Sequence, residues 1–308
     1  MPSERLLSRR ELIRLAGIGG LSVITGMATS RMRLSAGDAD PALPPMPGAF
    51  YFLQMSDTHI GFSGAKVNPD PAGTLRKAVA AVNALEHPPE FIVFTGDLIH
   101  KTEDATVRRA RMQSFKDIVA ALTVKTLYYL PGEHDAAADQ GAVYQEFFGP
   151  MHYVFDLHGV HFIVLDNVSS SDATIGPVQL AWLKADLARV AHDTPIVVLT
   201  HRPLFALFPK WDWNTLDAAS AIDLLMPFAS VTVFYGHIHQ VHHFMTGHIA
   251  HHAAHGLMYA LPAPGSVPMK APIPWDPQKP YANLGFRELT ANVPQRSVSA
   301  VEFPVPPG

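Results

Sequence analysis

The sequence predicts a layered α/β fold with a second β-sheet packed on the first. Three observations predict it. Short apolar runs of strand length alternate with segments of helical periodicity between residues 51 and 235. Further runs of strand character follow the last helical segment, which asks for a second sheet. Five of the apolar runs are also followed by a short motif rich in acids and histidines, at the strand ends where open α/β sheets gather ligand-binding residues.

The elements follow in order. The runs at 51–55, 91–95, 126–130, 196–200 and 231–235 are apolar along their length, as expected of strands buried on both faces. Residues 162–166 form a further strand, with 153–157 before it as a hairpin partner. Residues 74–85 carry apolar side chains at 75, 78, 79, 82 and 85, the stripe of an amphipathic helix. Residues 105–122, 140–148, 177–190 and 215–228 also read as helices. Pro177 stands early in its helix, where a missing N–H is tolerated. The late segments 244–246, 257–261, 285–290 and 297–301 read as strands, and the Pro-rich stretch 261–280 as loop.

The N-terminus differs from the rest. Ser8-Arg9-Arg10-Glu11-Leu12-Ile13 is followed by a Gly-diluted apolar stretch and then small residues, which looks like a twin-arginine export signal; an ordinary amphipathic helix is the alternative. Residues 1–36 are assigned to the signal, 37–48 to a Pro-rich linker and 49–308 to one domain. Cleavage after Ala28 and after Ala36 both fit. The expected partner for export is the twin-arginine translocase, the expected location periplasmic or otherwise exported, and no stable membrane span is expected after cleavage. A formal charge of −4 argues against a dedicated nucleic-acid binder. With no cysteine, any metal must be held by oxygen and nitrogen.

The motifs are Asp57-Thr58-His59, Gly96-Asp97, Gly132-Glu133-His134-Asp135, Thr200-His201 and Gly236-His237-Ile238-His239. Each closes a strand, so all are expected at one edge of one sheet. The carboxylates of Asp57, Asp97 and Glu133 and the imidazoles of His59, His134, His201, His237 and His239 would repel or lie desolvated there unless cations held them. The set reads as a two-metal site.

This order of motifs resembles the calcineurin-like metallophosphoesterase superfamily over about residues 50–265. The resemblance implies a two-sheet β-sandwich flanked by α-helices, holding two metal ions (Fe, Mn or Zn). It places Asp57, His59 and His239 on the first metal, Asp97 as the carboxylate shared by both, and His201, His237 and Glu133 on the second. His134 matches the histidine that contacts substrate and assists the leaving group, and Asp135 a frequent partner of that histidine. The implied reaction is hydrolysis of a small phosphodiester or phosphomonoester by a hydroxide shared between the metals.

Two features depart from the family pattern. Glu133 stands where the family has asparagine, adding a methylene and a charge to the ligand set and favouring a harder or more highly charged ion. His100 stands where the purple acid phosphatases of the superfamily have a tyrosine ligand. Because His59 is present, His100 is expected beside the ligands or facing substrate, a surface histidine being the alternative. Arg202 is placed to meet a phosphate oxygen. Asn68 and Asp70 lie on a loop that can reach substrate, and Tyr128 and Tyr129 read as strand core. Trp211 and Trp213, with Phe205 and Phe208, form either a packed loop or a cap over the pocket. His248, His251, His252 and His255 have helical spacing, so one helix face presenting an auxiliary metal patch competes with a rim or core role. A catalytically weak metal-handling protein on the same scaffold is the alternative to the hydrolase.

Overall fold

The computed structural model describes residues 48–64 and 66–306. The expected export signal (1–36) and all of the linker (37–48) but Gly48 lie outside the described residues. The fold is two mixed β-sheets packed face to face, with helices on both outer faces.

The first sheet has the order β11-β10-β1-β2-β3. Its strands are β1 (Ala49–Met55), β2 (Ile92–Thr95), β3 (Leu127–Leu130), β10 (Gly285–Asn292) and β11 (Ser297–Pro304). β1, β2 and β3 run parallel, and β10 returns antiparallel to β1. The second sheet has the order β4-β5-β6-β7-β9-β8. It contains β4 (Tyr153–Leu157), β5 (Val160–Val164), β6 (Ile196–Leu199), β7 (Val231–Tyr235), β8 (His242–Thr246) and β9 (Ile249–Ala253). β5, β6, β7 and β9 are parallel, while β4 and β8 close the two edges as antiparallel hairpin partners.

Alternation along each strand divides the apolar side chains between two layers. Phe50 and Phe52 of β1 face the second sheet, where Phe52 stacks on Phe91 (4.6 Å between centroids) and meets Phe162 edge-on at 5.6 Å. Tyr51, Leu53 and Met55 face the other way, onto α1 (Pro71–Asn83) and α2 (Ala105–Val119) through Leu75, Val79, Val82, Met112, Phe115 and Ile118. On the far side, α5 (Pro177–Leu187) and α6 (Ala218–Leu225) cover the second sheet with Leu183, Leu187, Ile222 and Leu225. Asp70 and Asp104 cap α1 and α2 by accepting backbone N–H groups of the first turn. The short α3 (Glu133–Ala136) and α4 (Ala142–Phe148) follow β3. Among the described residues, no helix is long and apolar enough to cross a membrane.

Three expectations are corrected. The second sheet is not built from the late segments alone: β8 and β9 join β6 and β7, whereas β10 and β11 extend the first sheet. A late strand can pair with any open edge, parallel as β9 does on β7 or antiparallel as β10 does on β1, and sequence order does not say which. Residues 257–261 are loop, and the strand lies earlier, at β9. For the same reason the helical face of His248, His251, His252 and His255 does not exist. In β9, His251 and His252 point to opposite faces.

Candidate metal centre

The parallel strands of both sheets end at one edge of the sandwich. Asp57 and His59 follow β1, Asp97 follows β2 and the 132–135 motif follows β3; His201 follows β6 and His237 and His239 follow β7. The motifs therefore meet from two sheets and not from one, because the sheets stack with their carboxyl ends together. Gln54 ties the sheets beneath the site. Its side-chain amide donates to Thr95 Oγ1 (3.0 Å) and to the Tyr235 carbonyl (3.1 Å).

The backbone at these ends is unusual in the same way five times. Asp57, His59, Asp97, His237 and His239 all have φ between 43° and 64°, the left-handed region that L-residues occupy at a cost. The turns are held by a ladder continued past β1 and β2: Asp57 N–H donates to the Gly96 carbonyl (3.0 Å), His59 N–H to Asp97 (2.9 Å) and Ile60 N–H to Leu98 (3.1 Å). Left-handed residues here swing consecutive ligands to one side of the strand end. Gly132 is required by contact, since a Cβ there would lie 2.0 Å from Asp97 Oδ1 and 2.3 Å from its backbone nitrogen.

Three groups of donors result, and the polar atoms within each lie within metal-sharing reach. Asp57, His59 and His239 form the first; Asp97, Glu133, His201 and His237 form the second. The third, His59, His100 and His134, shares His59 with the first and flanks the centre at its open side. His59 Nε2 faces His239 Nε2 at 3.2 Å and Asp97 Oδ2 at 3.5 Å, while His239 Nε2 lies 3.2 Å from Asp57 Oδ1. Glu133 sets one oxygen 3.0 Å from His201 Nε2 and the other 3.0 Å from His237 Nδ1. Asp97 Oδ2 also lies 3.5 Å from His201 Nε2, so this carboxylate stands between the first two groups.

The remaining nitrogens fix the rings. His201 Nδ1 donates to the Thr95 carbonyl (2.7 Å), His237 Nε2 to Asp212 (3.0 Å) and His239 Nδ1 to Tyr259 (2.6 Å). The other nitrogen of each ring then faces the centre, where a cation in place of a proton would take its lone pair. These carbonyl partners have no local signature in the sequence. Tyr259 also stacks on His239, with centroids 4.2 Å apart.

The residues fit metal ions on three counts. His201 Nε2 and Glu133 Oε2 are close but poorly aligned, and both are buried without a hydrogen-bond partner. The electrostatics also call for positive charge. Burial alone would lower the pKa of His201, yet Asp97 and Glu133 raise it well above the ordinary value. Burial would raise Glu133, but His237, Arg202 and His201 hold it well below the ordinary carboxylate range. Third, the donors are all nitrogen and oxygen, suited to divalent first-row ions.

His134 lies at the open side, about one-fifth exposed. Its Nδ1 accepts the Lys101 N–H (3.0 Å), so the neutral ring carries its proton on Nε2, 3.9 Å from Asp97 Oδ2. His100 is not a surface residue. Its Nδ1 is 3.4 Å from His59 Nδ1 and its ring lies 4.6 Å from that of His134, and burial followed by the charge of His134 pushes its pKa down to about 4.

Asp135 does not touch the His134 ring. Its carboxylate accepts the N–H groups of Leu98 (3.0 Å), Ile99 (2.9 Å) and Gly132 (2.8 Å) and so clamps two of the motifs together. Arg202 is also placed differently from expectation. It donates to the Asp212 carbonyl (3.0 Å), pairs with the Asp212 carboxylate and lies 3.7 Å from Glu133. Asn68 donates to Thr74 Oγ1 and to the Met258 carbonyl and accepts the Asp70 N–H, while Asp70 caps its helix, so both hold the loop in place. Trp211 and Trp213 pack with Tyr235, Ile238 and Leu261 as a buried loop.

Comparison with known proteins agrees with this architecture. The family described as calcineurin-like phosphoesterase matches residues 50–241. The chain is 27% identical over 220 residues to the serine/threonine-protein phosphatase CPPED1 of Danio rerio, covering 63% of this chain and 71% of that protein. It is 25% identical over 246 residues to a probable cyclic nucleotide phosphodiesterase of Rhodopseudomonas palustris, covering 70% of this chain and 83% of that one. The fold is similar to that of a dimetal phosphatase from Danio rerio, with a TM-score of 0.53 at 14% identity over 82% of this chain and 99% of that one. With the family matched across all five motifs and the motifs converging on one metal-binding edge, the chain belongs to the calcineurin-like phosphoesterases, the metal-dependent phosphoester hydrolases.

Proposed function

We propose that the protein is a two-metal hydrolase of a small phosphodiester or phosphomonoester. One observation carries the reading: two sets of nitrogen and oxygen donors stand side by side with Asp97 between them and the protonated nitrogen of His134 at their open face. Asp57, His59 and His239 would hold one ion, Glu133, His201 and His237 the other, and Asp97 both. Iron, manganese and zinc suit this donor set. Two such ions supply Lewis acidity toward the phosphoryl oxygens and lower the pKa of water enough to give a nucleophile near neutral pH.

The chain's own residues do the rest. The Thr95, Asp212 and Tyr259 carbonyls keep three rings in the tautomer that faces inward. His134 Nε2–H is positioned to donate to the leaving oxygen, with the Lys101 N–H fixing the tautomer. His100 packs against the His134 ring.

The relatives' names divide between phosphatase and phosphodiesterase, so an assay must compare the two ester classes. Purified protein is assayed with bis(4-nitrophenyl) phosphate and 4-nitrophenyl phosphate while its metal content is measured. Two equivalents of metal with turnover are expected, the faster ester giving the class. In His134→Ala, turnover should fall about 10²-fold or more with metal content unchanged. Loss of metal along with activity would move His134 into the ligand set. Glu133, a charged carboxylate 3.0 Å from both the His201 and the His237 ring, favours a second reading, a protein that retains metal without turnover. Two equivalents and no hydrolysis of either ester would favour that reading.

We also propose export through the twin-arginine route, on the strength of Arg9-Arg10 and the apolar stretch after them. Replacing both arginines by lysine should retain the protein in the cytoplasm; unchanged export would remove the proposal.

A further inference from the structure

The β8–β9 hairpin lies at one edge of the second sheet and carries histidines that the metal centre does not use. His243 and His252 stand directly opposite each other in its register. Their Nδ1 atoms are 3.4 Å apart and their ring centroids 4.6 Å. Two nitrogens each about 2.05 Å from a tetrahedral zinc ion lie about 3.3 Å apart. Within the metal centre, His59 and His239 show a similar relation, 3.2 Å between nitrogens and 5.1 Å between rings.

We propose that His243 and His252 form a separate edge site for one late first-row cation of the zinc–copper class, with water completing its coordination. One ligand is fixed and the other open. His252 is partly buried and stacks on Phe234, while His243 is exposed to solvent. Burial, followed by the charges of His243, Arg287 and His251, pushes His252 down to about 3, so its ring stays neutral at ordinary pH and keeps a lone pair to give. The Arg287 guanidinium behind it is engaged by the Glu302 carboxylate and the Ala253 carbonyl, so its charge is offset. Met245, two residues beyond His243 on the same face of β8 and 45% exposed, adds a thioether at the rim that favours copper(I). Two protein ligands make the site weaker and more exchangeable than the central one, which draws on seven.

The competing account of the pair is an N–H···N hydrogen bond, which at 3.4 Å is long. Titration of the full chain distinguishes the two. Metal-free protein is titrated with zinc alone by calorimetry, and separately with copper(II) followed by electron paramagnetic resonance. Wild type should take one more equivalent of zinc than the central complement, with weaker affinity, and copper should show coupling to two imidazole nitrogens. His243→Asn, a change at an exposed position, should lose that equivalent or bind it at least tenfold more weakly, while central metal and hydrolysis are unchanged. His243→Cys should keep it. Equal zinc stoichiometry and affinity in wild type and His243→Asn would overturn the proposal, as would copper spectra that the substitution leaves unaltered.

Discussion

Glu133 is the residue at which this chain departs from the ligand set its family resemblance implies, and its surroundings show how the added charge is accommodated. Each carboxylate oxygen faces one ring, His201 or His237, and Arg202 stands 3.7 Å away with Asp212 on its other side. A third carboxylate tightens the hold on a cation, while the guanidinium offsets part of its charge. Glu133→Asn should therefore lower metal retention about tenfold or more, read by competition with a chelator. Unchanged retention would mean that Glu133 is not a ligand. Arg202, expected from sequence to meet a phosphate oxygen, is instead committed to Glu133 and Asp212. Nothing in a dipeptide His-Arg says where its side chain turns. The role of Asp135 was equally hidden, because two of its three partners are backbone N–H groups more than 30 positions away in the chain.

At the scale of elements, the loops after β1, β2 and β3 interlock. The close approach of Gly132 to Asp97 lets α3 begin where Glu133 and His134 reach the centre. Gly132→Ala should cost about 3 kcal/mol or more, since neither backbone can give way without breaking the ladder between Asp57–Ile60 and the 96–98 turn. Thermal unfolding and metal content should fall together in this variant; a melting point within a degree or two of wild type would refute the argument.

The edge hairpin carries a different liability. His251 is fully buried beside Phe205 and Phe244, with neither ring nitrogen partnered, and burial followed by the charge of His243 pushes its pKa down to about 4. The unfolded chain takes up this proton near the ordinary value of 6.5, the folded chain only near 4. Stability should therefore fall as pH drops from about 6.5 to about 4, by about 3 kcal/mol at most, and the loss is complete below 4. His251→Leu should flatten the melting temperature over that window. A pH profile parallel to wild type would show that His251 does not titrate with unfolding.

For the whole molecule, the centre joins the two sheets at their shared edge, and five of its residues hold left-handed backbone conformations. Without cations, mutually repelling carboxylates and strained turns would face each other there. Ligands that bind only the folded state stabilise it by mass action, about 4 kcal/mol at a thousandfold excess over Kd. Exhaustive chelation should thus lower the melting temperature by roughly 8–16 °C, at about 2–4 °C per kcal/mol for a domain of this size, and added zinc or manganese should restore it. A melting point indifferent to chelation would mean that the centre folds without its ions.

The sequence by itself determined the layered α/β class, most strands and helices, and the five motifs, because strand and helix periodicities and the chemistry of acids and histidines are local properties. It also brought the candidate metal-holding residues to one edge, since parallel strands of buried type deliver their carboxyl ends there. Only the tertiary structure decided which sheet each late strand joins, because β9 adds parallel to β7 while β10 adds antiparallel to β1, and either pairing follows from which edge is open and not from composition. It alone decided that three motifs come from one sheet and two from the other. The same holds for His251 and His252, whose helical spacing was overridden by pairing with β7 and β8, and for the carbonyls of Thr95, Asp212 and Tyr259. A backbone carbonyl is present at every position of a chain, so which ones aim a histidine is settled only by where the chain folds.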